Sequence, residues 1–208
     1  MENFVPTVSP NTHRQVVRLQ ILTITWMSIE VIVALGAAWS ARSTALLGFG
    51  GDSAVELFSA LVVLWRFRSK SDSAGAERLA ARVAGALLFI VAGFVVLSSG
   101  LSLLGYSEPR PSVIGIILLI VAAVGMPWLA RQKRRLAAQV SSAALRADAT
   151  ESALCGCLSL IALAGLLANA IFRIPWADPI AALALVPFIA KEAWQAVHSS
   201  RHCCDHSI

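Results

Sequence analysis

Charge is scarce in this chain. Asp, Glu, Lys and Arg make up 14% of its 208 residues, where a soluble domain carries about 25%. That shortage leaves no room for a sizeable soluble domain beside the apolar segments. Histidine is scarce too, and His13, His198, His202 and His206 all lie near the ends. With no Ser/His pairing, no HExxH and no paired-Asp metal–phosphate motif, the chain does not read as an enzyme. Basic residues interleaved with aromatics on a polar face are missing, so the net charge of +5 is no nucleic-acid footprint. No segment alternates with period 2, which excludes a transmembrane barrel.

What fills the chain is apolar sequence. It is 57% hydrophobic, with a mean hydropathy of +0.73. Six apolar segments stand out, at 18–40, 44–66, 79–104, 111–130, 141–172 and 175–198. Most reach the roughly 20 residues that cross a hydrocarbon core. The expected fold is an all-α, multi-pass membrane bundle of six transmembrane helices. The first segment is too long for a signal-peptide core and contains Glu30, so it is read as a span. The expected organisation is a cytoplasmic segment 1–17, a six-span domain 18–198 and a short cytoplasmic His/Cys tail 199–208.

Orientation follows from the bases. Of the 17 lysines and arginines, all but Arg42, Arg110 and Arg173 fall at the termini or near the loops after spans 2 and 4. That side should be cytoplasmic, with both termini on it. Arg131 to Arg135 is expected as a basic inner loop. Trp39 and Trp176 fall at outer span ends, and Trp65, Trp128 and Trp194 at inner ends, as interfacial anchors do.

Two short strings interrupt the apolar spans. One is Asp52-Ser53-Ala54-Val55-Glu56, the other Glu151-Ser152-Ala153-Leu154-Cys155. Each sets a carboxylate and a second metal-capable side chain four residues apart, on one helix face. An ionisable group inside a span is costly and points to function. Two such pairs could converge on one cation. The alternative for Asp52 and Glu56 is a structural pair bonded to neighbouring helices, and for Cys155 simple packing. The strings echo each other, which chance explains in a chain this rich in Ala, Ser and Leu.

The layout resembles the transmembrane domain of the cation diffusion facilitator (cation efflux) family. The likeness rests on Gly51-Asp52-Ser53-Ala54-Val55-Glu56-Leu57, on Ala147-Asp148 placed before Glu151, and on Ala177-Asp178-Pro179 where span 6 begins. The resemblance implies a six-span metal-ion/proton antiporter, with metal ligands at Asp52, Glu56, Glu151 and Cys155. This sequence departs from the family pattern, in which span 5 carries His then Asp and the second span-2 ligand is Asp. The family's cytoplasmic C-terminal domain is expected to be absent, since the chain ends about ten residues after span 6.

Three carboxylates and one thiol suit a divalent ion. Zn²⁺ is expected first, with Cd²⁺, Co²⁺, Fe²⁺ and Mn²⁺ open. Metal binding needs deprotonated ligands, so metal would displace protons and protons would return the site to its empty form. Alternating access would come from helix rocking. The alternative is a non-transporting membrane protein that binds metal and buffers, senses or modulates a partner. The partners expected are metal ions, protons and the bilayer, with no nucleic acid. A homodimer through transmembrane helices is a candidate, since Ala81, Gly85 and Gly93 offer small residues for close packing.

Accessory candidates surround this set. Glu30 could accept protons or line the path, or hydrogen-bond a Ser or Thr of another helix. Asp148 could pair with Arg146 or assist metal access. His202, Cys203, Cys204 and His206 are soft or borderline donors that could capture metal, or form a plain polar tail. One geometric difficulty is visible. Asp52 lies about 12 Å from the outer start of span 2, and Glu151 about 30 Å from the outer end of span 5, on ideal helices. An irregular outer segment after Leu166, or tilt, would bring the pairs level.

Overall fold

The computed structural model of the chain describes residues 10–68, 74–140 and 143–198. Expectations for the first nine residues, and for His202, Cys203, Cys204 and His206, fall outside the described residues. Six helices follow one another: α1 Pro10–Ala41, α2 Thr44–Arg68, α3 Ala74–Leu103, α4 Val113–Gln139, α5 Ala143–Phe172 and α6 Ala177–His198. No strand occurs among the described residues. All but α6 are long and apolar enough to cross a membrane; α6 carries Asp178, Lys191 and Glu192. The fold is an all-α membrane bundle.

Packing runs around the bundle from α1 to α2, α3, α6, α5, α4 and back to α1. Helix α2 also meets α5 and α6 across the interior and is the most buried of the five apolar helices. The distribution of polarity is the reverse of a soluble protein's. Ile32, Ile90, Phe94, Ile114 and Val124 face outward, while Glu30, Asp52, Glu56, Lys133 and Asp148 are buried. Small residues let the helices approach. A Cβ on Gly165 would lie 2.4 Å from the Ala181 Cβ, so glycine is what allows α5 and α6 to touch there. Trp39, Trp65, Trp128, Trp176 and Trp194 are exposed, and Trp26 packs against the core.

The connections at the Ala41–Thr44 end of the bundle explain the depth difficulty. Helix α1 ends at Ala41, with Arg42 in the left-handed region at φ 52°, a conformation that closes helices but is unusual outside glycine. Two residues later α2 begins. Asp178, at the start of α6, caps it: the carboxylate accepts from Ser43 Oγ at 2.5 Å, Thr44 N at 2.8 Å, Thr44 Oγ1 at 3.1 Å and Ala45 N at 3.4 Å. A carboxylate at a helix N-terminus satisfies free amides and opposes the dipole. The segment 104–112 covers this turn, with Arg110 N donating to Ala41 O at 2.7 Å and Asn169 Nδ2 to Pro109 O at 3.0 Å. The start of α2 is therefore recessed, and α5 continues as helix past it to Phe172. No irregular segment after Leu166 is needed.

Two expectations are corrected. Arg131 to Arg135 is not a loop: α4 continues to Gln139, and Lys133 within it is fully buried while Arg131, Arg134 and Arg135 are exposed. Leu119, Met126, Lys133 and Ala137 continue one buried stripe down α4, at the spacing of a helix face. Gly85 and Gly93 do not share a face. Gly85 is buried, whereas Gly93 looks outward with nothing near its Cβ direction; eight residues turn a helix about 80° past two full turns. Pro127 and Pro187 lie inside helices that continue through them, as neighbouring contacts allow in membrane bundles.

Candidate metal centre

Helices α2 and α5 run antiparallel, and the two strings meet in register. Ser152 Oγ donates to Glu56 Oε1 at 2.6 Å, and Ser53 Oγ lies 4.0 Å from Cys155 Sγ. Asp52, Glu56 and Cys155 are buried, and Glu151 is half-buried with its Oε2 fully enclosed. The expected inward-facing surfaces are thus turned toward each other, at one depth.

The serines of the two strings do the same work, so the echo between the strings has structural content. Ser53 Oγ donates to Glu30 Oε1 of α1 at 2.7 Å and also lies 3.0 Å from Phe49 O. Ser152 Oγ lies 3.1 Å from Asp148 O besides its bond to Glu56. Each hydroxyl bridges its own helix, four residues back, to a carboxylate on a neighbouring helix. Cys155 Sγ donates to the same Glu30 Oε1 at 3.5 Å. Glu30 is therefore bonded to a serine, as the sequence suggested, and it also borders the thiol.

A cation sits below this level. Lys133 Nζ donates to Asp148 Oδ1 at 2.9 Å and to Ser152 Oγ at 2.7 Å, and is 3.9 Å from Glu56 Oε1. The other oxygen of Asp148 accepts from Gln20 Nε2 at 2.9 Å. Asp148 is thus engaged by Lys133 and Gln20, and Arg146, the partner expected from sequence, is exposed. On the far side of α2, Asp52 adjoins Glu192 of α6. Glu151 is hydrogen-bonded to Ser59 of α2.

The four expected ligands are neighbours that hold other partners. Among the described residues, no three His, Cys, Asp or Glu side chains are placed so as to hold one ion. Among the described residues, three buried carboxylate oxygens nonetheless make no hydrogen bond: Glu30 Oε2, Glu56 Oε2 and Glu151 Oε2, with the Trp26 indole near Glu30. They come from α1, α2 and α5. Buried oxygens left unsatisfied are costly and call for a cation or a proton. Lys133, Glu192, Ser53 and Ser152 are the polar residues that sequence reasoning missed. The buried stripe of α4 was the available signal for Lys133.

Residues 21–202 match the cation efflux transmembrane domain. The chain belongs to this family. It is 26% identical over 170 residues to the uncharacterized transporter YdbO of Bacillus subtilis (strain 168), covering 77% of this chain and 58% of that protein. It is 30% identical over 127 residues to the manganese efflux system protein MneS of the same organism, covering 61% of this chain and 43% of that protein. The cation efflux chain described here therefore spans about half the length of these relatives.

Proposed function

We propose that this cation efflux protein moves divalent metal ions across a membrane in exchange for protons, through a centre formed between α2 and α5 by Asp52, Glu56, Glu151 and Cys155. Glu30 is its neighbour on α1. The observation that carries the reading is the set of three unpartnered buried oxygens, on Glu30, Glu56 and Glu151. Releasing Ser152 would free Glu56 for an ion. The basic side is assigned to the cytoplasm.

Oxygen donors outnumber sulfur at this centre, which favours harder ions such as Mn²⁺; the thiol of Cys155 admits Zn²⁺ and Cd²⁺. The name of the MneS relative concerns manganese, and it supports placing Mn²⁺ beside Zn²⁺ as the first substrates to compare.

The test is flux. Purified protein in sealed proteoliposomes should accumulate Mn²⁺ or Zn²⁺ and move protons in the opposite direction, and Asp52→Asn should abolish both. Metal binding without flux would point instead to a buffering or sensing membrane protein. Wild-type flux by Asp52→Asn would overturn the assigned centre.

A further inference from the structure

Lys133 is fully enclosed in the bundle. Two of its ammonium hydrogens go to Asp148 Oδ1 and Ser152 Oγ, and the charge stands 3.9 Å from Glu56 Oε1. Asp148 is fully used, since Gln20 takes its second oxygen. Glu56 is only half used: Oε1 accepts from Ser152, and Oε2 has no partner. The lysine therefore holds one acid closely and leaves a second one restrained, with one oxygen open. Intramembrane cations pair with acids because hydrocarbon offers no alternative.

We propose that Lys133 is a tethered cation beside the metal centre, which weakens metal binding by repulsion. The proposal rests on the reading of Glu56 as a metal ligand. A metal ion on Glu56 Oε2 would sit about 2 Å from that oxygen, and hence within roughly 8 Å of the ammonium group. At that separation, like charges in a protein interior repel strongly. Metal would be held loosely enough to leave.

The experiment compares Lys133→Gln, Lys133→Arg and the double variant Lys133→Gln/Asp148→Asn in the full chain. Mn²⁺ and Cd²⁺ affinities are measured in detergent at one pH, and concentration-dependent flux in proteoliposomes. Lys133→Gln should bind metal at least about tenfold more tightly and transport with a lower KM and a lower maximal rate, because release slows. Lys133→Arg keeps the charge and should restore weak binding. The double variant removes the ion pair together, so no buried charge is stranded. Its metal binding should also tighten, by a smaller factor, because the closer of the two charges to Glu56 is the lysine's. If Lys133→Gln does not fold, the double variant decides. Affinity equal to or weaker than wild type in the folded variants overturns the proposal, as does Lys133→Arg behaving like Lys133→Gln. Absence of Mn²⁺ and Cd²⁺ binding by the wild type overturns both this proposal and the metal centre. Normal wild-type binding with unaltered variants overturns this proposal alone.

Discussion

Cys155 and Glu30 are joined across the α5–α1 boundary by a thiol-to-carboxylate hydrogen bond of 3.5 Å. The thiol thus adjoins an acid that is also held by Ser53. If Cys155 ligates metal, Cys155→Asp trades sulfur for a hard oxygen. Binding of Cd²⁺ should then fall more than binding of Mn²⁺, as read by competition titration. Equal losses for both ions would show that the thiol only packs. Cys157 is exposed, so Cys157→Ala should leave both affinities unchanged.

Asp52 of α2 and Glu192 of α6 are neighbouring acids. Metal and protons compete for the same oxygens, so affinity should rise with pH and fall as pH is lowered. The slope of log affinity against pH counts the protons displaced. Glu192→Gln keeps a polar neighbour for Asp52 but removes one ionisable group, and should flatten the slope. Calorimetry across about pH 5.5–8 in buffers of different ionisation enthalpy checks this. A pH-independent affinity of the wild type would refute proton exchange.

Asp148→Asn strands the fully buried ammonium of Lys133. Breaking a buried ion pair from one side costs about 3–5 kcal/mol, so thermal unfolding in detergent should move to markedly lower temperature. Arg146→Gln should have no such effect, because Arg146 is exposed. Similar stability losses in the two variants would return Asp148 to the Arg146 pairing.

Asp178→Ala removes the acceptor for the first amides of α2. Loss of a helix cap costs about 0.5–2 kcal/mol, and the buried hydroxyls of Ser43 and Thr44 lose a partner as well. Stability should fall by about 2 kcal/mol, near the top of that range. Asp178→Asn retains an acceptor oxygen and should recover part of the loss, measured as the same thermal shift.

Most of the fold was legible because lipid makes each span announce itself as a long apolar run. The acids at 52, 56 and 151 were legible for the complementary reason, that hydrocarbon penalises them. Lys133 was hidden by its neighbours. In Arg131-Gln132-Lys133-Arg134-Arg135 every residue looks aqueous, and only the buried stripe on α4 separates the one that turns inward. Glu192 was masked in the same way by Lys191. The recessed start of α2 depends on Asp178, whose partners Ser43 and Thr44 lie more than a hundred residues away in sequence. Spacing within one helix carries no record of such a bond.

Asp178 has a mechanical consequence. Helices α2 and α6 are fastened at their N-terminal ends by the Asp178 cap, where one carboxylate takes several donors at once. Deeper in the bundle the same two helices adjoin at Asp52 and Glu192. Sliding one helix along the other would tear every bond at the cap. Swinging their far ends apart would leave those bonds whole. A cap of this kind resists sliding more than it resists opening, and the acid nearest it among the proposed ligands is Asp52.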